Sequence, residues 1–525
     1  MARIVKWVLF GLLLGPLFGA TMHAATRTAA SCNASDVQTA MNAAQSGDTV
    51  AIPAGTCTWT TSVSWTAPAN VILQGAGSQS MTGGGDITVI IDNVSHSPSD
   101  NPTLQVTTGT SSTTFRMSGI TFESNGSSSA SYGGSVRIFG NSALVRVDHS
   151  HLDLTADGKQ MTVSGCVYGV MDHSIVDLSA GSTNNGIFLD QGSCGGDSLG
   201  VGNGQWNEAT TLGSANYFYF ENDIFNGGTQ GSSEVVPFVN DCSGGGRFVF
   251  RYNTINGLTV QGHGTGHSNN PPDRGCRAYE IYGNTFTGGS VAWPVFNAFY
   301  NTGGTGVIWG NTATGYYQYF ITGHINRASD STYTQSAPPN GWGYCSSSSI
   351  GGVPGPSNWD HNTSGQNGYA CLDQIGRGAG DLLQGLFPNV CDASSLDCTN
   401  GIYTGRWPNQ ALEPVYEWSD TWNTVPGWPS SFWNEYDAQA QQNRDYYLNN
   451  AGFNGTAGVG SGLLAARPST CTPYVAYWAT DTNTLYQCSA RNTWTAHYTP
   501  YTYPHPLVQG GGPPGPPTNL QAIPQ

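Results

Sequence analysis

Nine Asp, Glu, Arg and His side chains gather between residues 241 and 280: Asp241, Arg247, Arg251, His263, His267, Asp273, Arg274, Arg277 and Glu280. Only 10% of the chain is charged, so this density marks a stretch that could do chemistry. Two reactions draw on such a set. Removing the proton beside a uronate carboxylate needs a base and a cation to neutralise the carboxylate. Hydrolysing a glycosidic bond needs two or three carboxyl groups around the bridging oxygen. For the first reaction Arg251 or Arg274 is the candidate base, with His263 as a third catalytic candidate. Asp241, Asp273 and Glu280 are the candidate ligands for calcium, which takes oxygen donors. Arginine is a demanding base because its pKa is so high, and close neighbours or a cation would have to activate it. The plainer alternative is a ladder salt bridge between Arg251 and Glu280. His263 and His267 lie four apart in a Gly-rich loop, not on a helix, so their spacing does not specify a zinc pair.

A second cluster lies further along: Asp373, Arg377, Asp381, Glu413, Glu417, Asp420, Arg444 and Asp445. Trp407, Tyr416, Trp418 and Tyr446 are interleaved with it. Aromatic faces beside carboxylates suit sugar binding, which makes Trp407, Tyr416 and Trp418, with Glu280, candidate substrate-binding residues. Buried Arg–carboxylate pairs that pin this segment in place suit the same residues, and that reading is favoured. A third group, "VDHSHLD" and "MDHSIVD", sets Asp148, His149, Asp172 and His173 at equivalent places. It reads as a structural ladder in preference to a metal site.

These residues must be held by a repeating scaffold. The units are "MSGITF" from Met117, "VDHSHL" from Val147, "MDHSIV" from Met171, "FENDIF" from Phe220, "FRYNTI" from Phe250, "IYGNTF" from Ile281 and "IWGNTA" from Ile308. Their starts are 30, 24, 49, 30, 31 and 27 residues apart, and "NNGIFLD" (184–190) can fill the longest gap. A repeat of this length marks a solenoid. Apolar residues alternate within units, the period of strands with one buried face. Asn, Gly, Ser or Asp fills the bend, where short polar side chains tolerate left-handed conformations. No helical pattern separates the units, which excludes a doubly wound sheet. Strand, bend, strand and loop make one coil of a right-handed parallel β-helix, an all-β solenoid.

The N-terminal stretch "SDVQTAMNAAQSGDTVAIPAGTCT" predicts a short amphipathic helix over 36–44, capped by Ser35 or a nearby polar group, and then strands. Such a helix covers the open end of a solenoid. From "VQTAMNAAQSGDTVAIPAGTCTWTTSVSW" to "NVILQGAG", the chain resembles the entry of pectate-lyase-like parallel β-helix proteins, and the repeats extend that likeness to about residue 323. Its nearest likeness within that superfamily is to uncharacterised secreted bacterial β-helix proteins. The resemblance implies the fold; lyases, hydrolases, esterases, tailspikes and adhesins share it. "QGHGTGH" (261–267) resembles the Gly-His-Gly phrase of polygalacturonase-like hydrolases. The paired Asp and the Arg-x-Lys that accompany it there are not matched, since the earlier coil offers only Asp241 and no lysine follows.

The expected organisation is a signal peptide over 1–25, the β-helix over 26–325 and a loop-rich extension over 326–508 that packs on or caps the helix. Residues 509–525 read as a Gly/Pro linker and the opening of a truncated fibronectin type III domain. Arg3 and Lys6 ahead of the apolar run 7–19 give the signal-peptide reading. Twelve cysteines agree with export, and Cys32–Cys57, Cys391–Cys398 and Cys471–Cys488 are the simplest staples.

Seventeen basic against 33 acidic residues give a formal charge of -16, which opposes binding to nucleic acid or anionic membranes. No mature segment is apolar for long enough to insert in a bilayer. No organic cofactor is implied; calcium is the one ion suggested. Two classes remain. One is a secreted carbohydrate-active protein, in its sharpest form a calcium-dependent lyase acting on a uronate-containing polysaccharide or cell-surface glycan. The other is a non-catalytic adhesin, sheath or filament subunit that associates with itself.

Overall fold

The computed structural model describes residues 24–109, 113–125, 133–141, 144–154, 159–178, 185–191, 209–227, 238–264, 275–291, 294–324, 375–380, 398–399, 402–403, 410–423, 431–435 and 440–509. Within them the chain winds as a parallel β-helix. One coil consists of strands Phe218–Glu221, Ile224–Gly227 and Phe238–Ser243; the next repeats it with Arg247–Arg251, Thr254–Asn256 and Val260–Gly262. Corresponding strands of successive coils pair in parallel. They build a twelve-stranded sheet, a nine-stranded sheet, and a third face made of a six-stranded and a four-stranded sheet.

Register converts the period-two pattern into columns. Met117, Val147, Met171, Phe220, Phe250, Ile281 and Ile308 stack coil upon coil, all at most 1% exposed. Phe122, Leu152, Val176, Phe225, Ile255 and Phe286 form a matching column from the nine-stranded sheet. Each large apolar side chain buried in this way contributes about 1.5–3 kcal/mol. Between the two sheets the chain bends through one left-handed residue per coil. Gly119, His149, His173, Asn222, Tyr252, Gly283, Gly310 and Ser419 hold this place, with φ between +49° and +67°. Gly, Asn and His tolerate that conformation; a bulky residue such as Tyr252 adopts it at a cost.

The N-terminal helix spans Ala34–Ala43, and Val37, Ala40 and Met41 close the core at that end. Its N-cap is Asn33, not Ser35, and makes no side-chain capping bond. Cys32–Cys57 and Cys471–Cys488 are bridged, and so are Cys242–Cys276 on adjacent coils. Cys391 lies outside the described residues.

Beyond residue 325 the coil continues. Val415–Trp418 pairs in parallel with Thr305–Trp309, and Ser431–Glu435 with Tyr317–Gly323. "VYEWSD" is therefore a further repeat unit, separated from the others by a long insertion. A four-stranded sheet follows: Val459–Gly462, Ala476–Ala479, Thr484–Ala490 and Thr493–Tyr498. It packs on the outer face of the twelve-stranded sheet, where Trp478 meets Trp309 and Trp418 at 5.1 Å. Residues 499–508 then run back along that face as a strap. Tyr501, Leu507 and Val508 pack on an outward cluster containing Val170, Tyr219, Val249 and Tyr282. Over these coils the sheet is buried on both faces.

Candidate functional site

The outward residues of the twelve-stranded sheet fall into two columns. One runs Arg116, Arg146, Val170, Tyr219, Val249, Glu280, Val307 and Tyr416; the other runs Ser118, Asp148, Asp172, Glu221, Arg251, Tyr282, Trp309 and Trp418. The C-terminal sheet and strap cover the later coils. The earlier coils stay open, and there a pocket of about 450 Å³ is lined by Gln79, Arg116, Arg146, His149, His173 and Val508, with Ser80 and Thr82.

Its floor is built by a diagonal pairing. Arg116 donates to both oxygens of Asp148 on the next coil (2.6 Å each), and Arg146 to both oxygens of Asp172 (2.8 Å each). Such two-pronged bonds fix the guanidinium planes. The same carboxylates orient the bend histidines: His149 Nδ1 lies 2.7 Å from Asp148 Oδ2, and His173 Nδ1 lies 2.9 Å from Asp172 Oδ2. The two imidazoles are stacked, 5.3 Å between centres and 3° from parallel. Both Asp side chains are fully buried, whereas 31% of the Arg116 side chain and 38% of that of His173 reach solvent.

Burial alone would raise the Asp148 carboxyl. Hydrogen bonds from Arg116 and His149 and the nearby Arg146 charge outweigh it and hold the carboxyl well below the usual range. His173 moves the other way: the Asp172 carboxylate raises its pKa against a smaller effect of burial.

Two distant segments complete the walls. The strap end is fixed by Arg146 Nη1, which donates to the Leu507 and Val508 carbonyls (3.2 and 3.4 Å). On the other side the 78–84 loop lies on the histidine bends, with Gly83 N–H donating to the His173 carbonyl (2.9 Å). A Cβ on Gly84 would lie 2.4 Å from the His149 carbonyl oxygen, at φ +71°, so this approach requires glycine.

The residues proposed from sequence go elsewhere. Arg251 is fully buried, and its five donors reach Glu221, Tyr282 and the carbonyls of Tyr501 and Thr502. Its Coulombic partners raise its pKa further despite burial, so the base assigned to Arg251 becomes a structural tie. Its carboxylate partner is Glu221 on the preceding coil, not Glu280. Glu280 is also fully buried and accepts from Gly213 N–H (2.6 Å) and Tyr498 Oη–H (3.0 Å). Burial pushes its carboxyl up to about 7, against those two hydrogen bonds.

Tyr416 and Trp418 are buried under the C-terminal sheet, where Tyr416 donates to the Tyr474 carbonyl and Trp418 stacks on Trp309. No sugar can reach them there. Arg277 with Glu413, and Arg377 with Asp445, form the pinning pairs instead. His263 Nδ1 lies 3.3 Å from Asp241 on the third face, away from Glu280 on the twelve-stranded sheet. The expected calcium set is therefore not assembled by Asp241 and Glu280. Arg274, Asp273 and Trp407 lie outside the described residues. Among the described residues no group of three or more His, Cys, Asp or Glu is placed to hold a metal. No described helix is long and apolar enough to cross a membrane.

No family model matches the chain, and no curated protein matches it. Among solved structures it is similar to the crystal structure of an alginate lyase from Paenibacillus sp. str. FPU-7, at 16% identity and a TM-score of 0.30. That likeness covers 57% of this chain and 99% of the other. A likeness of this size says nothing about activity.

Reading the sequence alone missed this pocket as a site. Its signal was the recurrence of Asp-His at one bend on two adjacent coils, which specifies stacked, carboxylate-oriented imidazoles. The walls that turn the stack into a pocket come from residues 78–84 and 506–508.

Proposed function

We propose that this is an exported carbohydrate-active β-helix protein that binds a uronate-containing glycan in the pocket formed by Arg116, Arg146, His149 and His173. One observation carries the reading. In a chain with 17 basic residues, two guanidiniums and two imidazoles converge on one open, polar pocket. Arg116 presents Nη1 unused by any described hydrogen bond, a donor for a sugar carboxylate. Aspartates on the floor neutralise both arginines in part, so the pocket favours a sugar unit with one carboxylate over sulfated or phosphorylated units of higher charge. Among the described residues calcium has no assembled ligand set, and we expect binding to survive chelation.

The test is the affinity of the full chain for polymannuronate, glucuronan, polygalacturonate and polyguluronate against neutral glucan and xylan, with calcium and with chelator. Uronate binding that weakens at least tenfold in Arg116→Ala is expected. Equal affinity for neutral and acidic glycans, or uronate binding indifferent to Arg116→Ala, overturns the reading. Absence of binding to every glycan favours the adhesin or filament class.

A further inference from the structure

The geometry points to a second property of this pocket, one that rests on the uronate-binding reading: His149 and His173 form a proton-taking and proton-giving pair for β-elimination, acting from one side of the sugar. Both are Asp–His dyads. In each, Nδ1 is engaged by a buried carboxylate, and no described hydrogen bond reaches Nε2. The carboxylate fixes the tautomer and ring direction, the arrangement a general base or acid requires. Both imidazoles line the pocket.

The reaction balances without an added reagent. One imidazole Nε2 takes the C5 proton of the bound uronate. The C5–H electron pair becomes the C4=C5 double bond, the C4–O4 bond breaks, and the other imidazolium gives its proton to the leaving O4. The histidines have then exchanged protonation states, and exchange with water resets them. Arg116 neutralises the carboxylate that acidifies C5–H, and the Asp148 carboxylate links it to His149. The raised pKa of His173 suits it to the giving role, which leaves His149 as the base.

The stacking predicts selectivity. The rings are parallel and on adjacent coils of one wall, so both nitrogens approach the sugar from the same face. Proton removal and leaving-group protonation on one face is syn elimination. It suits uronates whose C5–H and C4–O4 lie on the same side of the ring, the manno and gluco configurations. Galacturonate and guluronate place the two on opposite sides and would need groups on both faces.

The four polyuronates are incubated with the full chain, and unsaturated product is followed by its ultraviolet absorbance. His149→Asn and His173→Asn are the variants, because Asn222 already holds this left-handed bend on the next coil and the fold should tolerate the change. Product from polymannuronate or glucuronan alone is expected, with kcat at least 100-fold lower in each variant. Binding without product from any polymer, comparable product from polygalacturonate or polyguluronate, or full rates in both variants would overturn the pair and leave the binding reading standing. Loss of binding to all four by the wild-type chain would remove both.

Discussion

Asp420 stands where the bend ladder calls for asparagine: its Oδ1 accepts from both Asn311 N–H (2.6 Å) and Asn311 Nδ2 (2.9 Å). The preceding rungs are amide to amide, Asn253 to Asn284 (3.0 Å) and Asn284 to Asn311 (2.9 Å). Each of these side chains also donates Nδ2 to a carbonyl of the preceding coil, and an aspartate cannot do so. Asp420 Oδ2 is buried with no hydrogen-bond partner.

Burial, then the neighbouring Glu417 charge, pushes the Asp420 carboxyl well above the ordinary range. The folded state thus binds a proton that the unfolded chain releases near 3.8, and stability falls as pH rises above that value. Asp420→Asn completes the ladder and removes the titration. It should stabilise the protein by about 1–3 kcal/mol at pH 8, with a smaller gain at pH 5. Urea unfolding at both values checks this, and a variant less stable than wild type at pH 8 would contradict it.

The same coil shows what could be read from the sequence and what could not. The bend phrase recurs in "IYGNTF", "IWGNTA" and "EWSDTW", but about 100 residues separate the last two, and its charges placed the last in the second charged cluster instead of the repeat. Alternation tells which side chains leave the core; it cannot tell whether another layer covers them. Arg251, Glu280, Tyr416 and Trp418 all point outward, and all are buried beneath a segment more than fifty positions later in the chain. The fold was therefore legible from local period, and the site was not, because its walls are long-range contacts.

The tie between Arg251 and the strap is the second prediction. Arg251 compensates buried Glu221 and satisfies two strap carbonyls, so Arg251→Met leaves an unpaired buried carboxylate. Breaking such a pair costs about 3–5 kcal/mol. The double variant Glu221→Leu/Arg251→Met should recover part of that loss, because no charge is then stranded. Unfolding free energies of Arg251→Met, Glu221→Leu and the double variant, with wild type as the fourth corner of the cycle, measure the coupling. Limited proteolysis should cut within 499–508 faster in Arg251→Met than in wild type. A loss under 1 kcal/mol would mean that the strap does not depend on this tie.

His151 gives the third. Its Nδ1 and Nε2 lie 2.9 Å from Asp86 and 3.1 Å from Asp177. Burial lowers its pKa, but the two carboxylates outweigh burial and raise it to about 9 from 6.5. A raised folded pKa contributes stability that is fully present below the unfolded value and is lost as pH rises through the folded one. The melting temperature should therefore fall between pH 6.5 and 9, and His151→Gln should flatten the decline across that window. An unchanged slope in the variant would show that the imidazole is neutral in the fold.

Gly84 links the stability of the fold to the candidate site. An added Cβ would meet the His149 carbonyl at 2.4 Å, and φ +71° disfavours any L side chain there, so Gly84→Ala must shift the 78–84 loop. The obstructing atom is backbone, which cannot rotate away. The cost should be about 1–3 kcal/mol, a loss a large β-helix can bear while remaining folded. The loop carries Gln79, which accepts from Arg116 Nη2, and its displacement leaves that guanidinium less well held. Uronate affinity should fall in Gly84→Ala with the far-ultraviolet circular dichroism unchanged. Gly310→Ala, at a left-handed bend of a later coil with open space around the new methyl, should cost stability and leave affinity alone. If both variants bound uronate like wild type, the loop would not be a wall of the binding pocket.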